Sequence, residues 1–165
     1  MKLLSRTGAS VELRPVRYQF HSVRSDTDRD RWDANWLVVR GDVQAPDGRG
    51  WSFTEPCLTT WEARGLAQWF HRVATGQVTR CPAPDEDADD VLSFTEPNLA
   101  FSLHSQDPHT THLRLHLSAE AAPPWTAQDA RWHWSAFCLS LHLGIDEIRD
   151  AAEQWERDLA PFPTR

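Results

Sequence analysis

The 165-residue sequence predicts an α+β fold: a predominantly antiparallel sheet of about seven strands, curved or sandwich-like, with two amphipathic helices packed on it. Three observations carry this prediction. Short segments along most of the chain alternate apolar and polar residues, the period of a half-buried strand. Two segments, near residues 59–73 and 145–159, repeat apolar residues at helical spacing instead. Short connections, several built on Pro, Asp or Gly, separate the strand-like segments and favour antiparallel neighbours over crossovers. The length suits one domain, 1–165, large enough for a real core.

In chain order, Val11, Leu13, Val16, Tyr18 and Phe20 mark an edge strand over Ser10–Phe20, interrupted by Pro15, which donates no ladder bond. Residues His21 to Asp30 are rich in Ser, Asp and Arg and read as an exposed loop. A second strand is expected over Trp32–Ala45. Ala45-Pro46-Asp47-Gly48-Arg49 turns the chain into a third strand near Gly50, because glycine tolerates the positive φ of a hairpin turn.

A helix follows. Thr59 and Glu62 have capping-box spacing, and Leu66, Trp69, Phe70 and Val73 form one apolar stripe. Gly76 is placed for a left-handed cap. The segment 81–90 combines prolines with Asp85, Glu86, Asp87, Asp89 and Asp90 and reads as a solvated acidic loop. Four strands come next, over Val91–Thr95, around Leu99–Leu103, around Leu113–Leu117 and over Trp132–Leu143. The last element is a helix from Ile145 to Leu159 with the stripe Ile148, Ala152, Trp155 and Leu159, stopped by Pro161 and Pro163.

One heptapeptide occurs twice. Ser52-Phe53-Thr54-Glu55-Pro56-Cys57-Leu58 returns 41 positions later as Ser93-Phe94-Thr95-Glu96-Pro97-Asn98-Leu99, with six of seven residues identical. Each copy reads as a strand end and a proline-fixed corner. Phe53 and Phe94 should point inward, with Glu55 and Glu96 bonding nearby backbone beside Pro56 and Pro97. The same two carboxylates, brought within about 5–10 Å, would match the pair used in glycoside hydrolysis.

Composition bounds the function. Asp and Glu total 24 against 17 Lys and Arg, for a net charge of −7. That balance disfavours nucleic acid and anionic membranes as partners and suits a basic protein. Cys57, Cys81 and Cys138 have no CxxC spacing, which fits a reducing cytoplasm rather than a disulfide framework. No signal peptide or membrane span is evident. Nine tryptophans either fill a small core or anchor an interface.

His112 and His116 alternate with Leu113, Leu115 and Leu117, so they and Arg114 should form a solvent-facing polar row. Zinc binding would need a third ligand such as His104 or Asp107, and no cofactor is expected. Neither a Gly-x-Ser-x-Gly elbow nor a glycine-rich phosphate loop is present. The candidate contact surface is acidic and aromatic: Trp32, Asp33, Trp36, Asp42 and Asp47 about the first hairpin, with the acids of 85–90.

Several segments together resemble the WapI-type bacterial immunity proteins. They are Val11-Glu12-Leu13-Arg14-Pro15, Asp33-Ala34-Asn35-Trp36-Leu37-Val38-Val39, Trp51 to Leu58 with Thr60-Trp61-Glu62-Ala63, Phe94 to Phe101, and Glu153-Gln154-Trp155-Glu156. The resemblance implies a non-enzymatic, cytosolic antitoxin that binds the toxin domain of a polymorphic toxin, commonly a nuclease. A small carbohydrate-binding or hydrolytic domain using exposed Trp with Glu55 and Glu96 is the alternative.

Overall fold

The structure, a computed structural model, describes residues 1–21, 27–83 and 90–165. Its elements in order are β1 (Lys2–Leu4), β2 (Ser10–Tyr18), α1 (Asp28–Asp33), β3 (Trp36–Gln44), β4 (Gly50–Thr59), α2 (Thr60–Ala74), β5 (Val91–Ser93), β6 (Leu99–Gln106), β7 (Thr111–Leu117), a 3-10 turn at Ala119–Ala121, β8 (Phe137–Leu143) and α3 (Ile145–Leu159). The fold is α+β, as expected, but the strands divide into two antiparallel sheets, β1-β2-β3-β4 and β5-β6-β7-β8. Helix α2 joins the first sheet to the second, and α3 follows the second.

Two elements were not anticipated. β1 is three residues long and pairs with Ser10–Glu12 of β2, so only the far half of β2 lacks a partner on that side. Pro15 sits in that half, at a register shift between Pro15 and Arg17, where a missing N–H disrupts no ladder. The second is α1, which takes Trp32 out of the expected strand. Its signal is a capping box at Thr27 and Asp30: Asp30 N donates to Thr27 Oγ1 (3.1 Å), and Thr27 N donates to Asp30 Oδ2 (3.0 Å).

Where periodicity is strong, the elements fall where the sequence places them. Gly48 (φ 86°) and Gly76 (φ 70°) adopt the left-handed backbone expected of them. The stripe of α3 is buried throughout, and Trp155 donates its indole N–H to the Ala63 carbonyl of α2 at 2.7 Å, tying the two helices together. One continuous core takes Leu13, Leu37 and Phe53 from the first sheet, Leu103, Leu115 and Leu141 from the second, and Phe70 and Trp155 from the helices. Facing Phe53 across the β3/β4 ladder is Gly41. A Cβ there would stand 2.2 Å from the ring, so the glycine is required by packing.

The two heptapeptides do not have the same structure. The first lies inside β4, which runs through Pro56 to Thr59. Leu58 pairs with Leu37 and Pro56 with Val38, leaving Cys57 as the extra residue of a bulge. β4 is the outer strand of its sheet, and a bulge on an outer strand accommodates proline without a corner. The second copy is a true corner: β5 ends at Ser93, and β6 begins at Leu99.

Candidate functional site

The carboxylate that holds the second corner is neither Glu55 nor Glu96. Glu62, in the first turn of α2, accepts from Thr59 N and Thr59 Oγ1 through Oε2 (both 2.7 Å). Its Oε1 accepts from Thr95 N and Thr95 Oγ1 (both 2.8 Å). One side chain thus closes the helix cap and fixes the corner 33 residues away. Among the described residues, Glu55 and Glu96 accept no side-chain hydrogen bond, contrary to the backbone role expected of them. Phe53 is buried, and Phe94 packs half-buried against the core.

The two SFTEP carboxylates nevertheless reach one neighbourhood. Burial pushes the Cys57 thiol pKa up, and the charges of Glu55, Glu120 and Glu96 push it further. Glu55 and Glu120 line an open cleft of about 630 Å³ with Arg131 and Trp132, while Glu96 is exposed and not among its lining residues. Arg131 fixes one wall, donating from Nε to the Ala119 carbonyl and from Nη2 to the Ala122 carbonyl, both at 3.0 Å. Ala119 has φ 48°, unusual for a residue with a Cβ. Asn98 Nδ2 donates to Glu120 Oε2 at 3.0 Å.

Aromatic rings continue this surface. Trp132 is 65% exposed, more than any other large apolar side chain among the described residues. Trp51 donates Nε1–H to the Ala121 carbonyl (2.9 Å) and meets Trp125 and Phe137 edge-on. Over the face of Trp125 lies the Arg49 guanidinium, 4.3 Å from the ring centroid.

The residues singled out from sequence distribute unevenly. Trp36 is buried and packs rather than presenting a surface. Trp32 is exposed and stands edge-on to Trp61, with Asp33 half-buried beside it in α1. Asp42 bonds Arg40 through two contacts (2.8 and 2.9 Å), and Asp47 bonds Arg49 (2.8 Å). Arg40 holds the Asp42 carboxyl below its ordinary range, and the Arg49 backbone N–H, then its guanidinium, does the same for Asp47. The hairpin is therefore a ladder of neutralised pairs. Asp90 is half-buried, and Asp85, Glu86, Asp87 and Asp89 lie outside the described residues.

The polar row is only partly solvent-facing: His112 and Arg114 are half-buried, and His116 is buried. His116 is 1% exposed. Its Nε2 meets Ser102 Oγ at 2.9 Å, its Nδ1 meets Ser135 Oγ at 2.8 Å, and Trp134 lies against its ring. The segment before Phe137, expected to be strand, instead folds over this face of the sheet. His112 stacks on His142 (centroids 4.1 Å, 22°) and meets His104 edge-on at 4.5 Å, where a register shift in β6 re-aims the chain. Burial and the neighbouring His142, His104 and Arg114 hold the His112 pKa down to about 4; burial and Arg114 do the same for His116. Among the described residues, no group of three His, Cys, Asp or Glu is arranged to hold a metal ion. No helix among them is long and apolar enough to cross a membrane.

A comparison with curated proteins finds no match. The family model described as "Immunity protein WapI-like family" matches residues 2–163, nearly the whole chain. This protein therefore belongs to the WapI-like immunity protein family.

Proposed function

We propose that this protein is a cytosolic immunity factor that binds the basic toxin domain of a polymorphic toxin, a nuclease in the simplest case, and blocks it stoichiometrically without chemistry of its own. The observation that carries the reading is the family match over residues 2–163. A net charge of −7 complements a domain built to hold nucleic acid, and opposed fields accelerate association. Exposed tryptophans beside carboxylates supply the anchors such an interface needs. The surface we propose for contact includes Trp32 and Asp33, with the acids of 85–90 contributing charge.

The test is co-expression with the toxin domain encoded beside this gene. Growth should be restored, and the two proteins should co-purify at equal stoichiometry. Failure of both would refute the immunity reading.

A further inference from the structure

The proposed contact surface is acidic and aromatic, and the hairpin does not supply free acid. Asp42 and Asp47 are each bonded to an arginine on the same strand or turn. Carboxylates without a cationic partner are found instead at the cleft, where Glu55 lines the wall and accepts no side-chain hydrogen bond among the described residues. Glu120 lines the same cleft and retains one oxygen beyond its bond to Asn98. Among the described residues the cleft is lined by one arginine, Arg131, which directs two of its five donors onto backbone carbonyls of the wall.

Trp132 stands at this cleft with 65% of its surface exposed. A tryptophan left open beside a concave wall is costly in water and productive in an interface, because ring burial there excludes solvent from adjacent polar contacts. The neighbouring aromatic cluster already holds a cation: Arg49 stacks on Trp125 at 4.3 Å, the arrangement an incoming guanidinium would adopt on Trp132. The volume of about 630 Å³ accommodates a whole arginine side chain and its flanking backbone.

We infer that the Glu55–Glu120–Trp132 cleft is the toxin-docking site and that it captures an arginine or lysine side chain projecting from the toxin domain. Trp132 stacks on the cation's stem or guanidinium, and Glu55 pairs with its charge. This inference rests on the immunity reading, and the experiment separates the two.

The affinity of the adjacent toxin domain, inactivated in its own active site, is measured against wild type and the variants Trp132→Ala, Glu55→Gln and Trp32→Ala, each first shown to retain the wild-type melting temperature. Trp132→Ala should weaken binding on the order of 30-fold or more, as expected of an interface anchor. Glu55→Gln should weaken it roughly 10-fold and flatten its salt dependence. Trp32→Ala should stay within about threefold of wild type, as a peripheral contact does. Loss of binding by Trp32→Ala with Trp132→Ala unaffected would overturn the cleft assignment and leave the immunity reading intact. No binding by wild type would overturn both.

Discussion

Acidification should destabilise the second sheet through two imidazoles, one buried and one half-buried, over a defined pH range. His112 and His116 are held near pKa 4 in the fold, against about 6.5 for a free histidine. Between those values the unfolded chain binds protons that the folded chain refuses, so stability is complete above pH 6.5 and falls as pH drops toward 4. At pH 4.5 an unscreened ring with that shift costs about 2.5 kcal/mol. His116, 1% exposed, should approach that figure. His112 is half-buried, and solvent screening reduces its share to about 1 kcal/mol.

The sum, about 3–4 kcal/mol, corresponds to a fall of roughly 10 °C in Tm for a chain of this length. The carboxylates with lowered pKa, Asp42, Asp47 and Asp107, lose their contribution only below about pH 3.8, outside this window. The assay is calorimetric Tm at half-unit pH steps for wild type and His112→Phe. The phenyl ring preserves the stack on His142 and cannot titrate, so the variant should lose the His112 part of the slope. A wild-type Tm flat from pH 7 to 4.5, or an unaltered slope in the variant, would refute the reasoning.

Further outcomes are expected from single substitutions, each read by urea denaturation. Glu62→Ala removes four accepted bonds at a helix cap and a distant corner and should cost about 2–3 kcal/mol, more than an ordinary cap loss of about 1. Gly41→Ala forces a methyl into the Phe53 ring and should cost about 1–3 kcal/mol; Gly41→Ala with Phe53→Leu should recover part of it. Ala119→Gly relieves a left-handed backbone and should stabilise by roughly 0.5–1 kcal/mol, provided Arg131 keeps its two carbonyl contacts.

The cleft shows how much of the site was legible in the sequence. The SFTEP repeat drew attention to Glu55 and Glu96, and after burial the charges of both help to raise the Cys57 thiol pKa. The third carboxylate, Glu120, and the exposed Trp132 carry no repeat, spacing or motif that marks them. Trp125 was visible only as a member of a tryptophan-rich composition and Trp132 as the start of an expected strand, with the choice between core and surface open. Of the nine tryptophans, Trp36, Trp69 and Trp155 are buried, and Trp32, Trp125 and Trp132 are exposed, so both readings apply to different rings. His116 misled because alternation identifies which side chains share a sheet face, not whether another segment covers that face.

Sequence by itself determined what depends on residues within a few positions of one another. The span of α3, the Thr59/Glu62 cap, the Asp47-Gly48 turn and the alternating leucines of β7 follow from helical period, capping chemistry, left-handed backbone and strand pleat, all local. Family membership was also legible, because its residues are spread along nearly the whole chain. Tertiary structure alone decided that identical SFTEP segments become a bulged strand and a corner, that Glu62 reaches Thr95, and that Glu55 lines one cleft with Glu120 and Trp132. Those outcomes join residues tens of positions apart, and packing of sheets and helices around the shared core selects among conformations that local preference leaves nearly equal in energy.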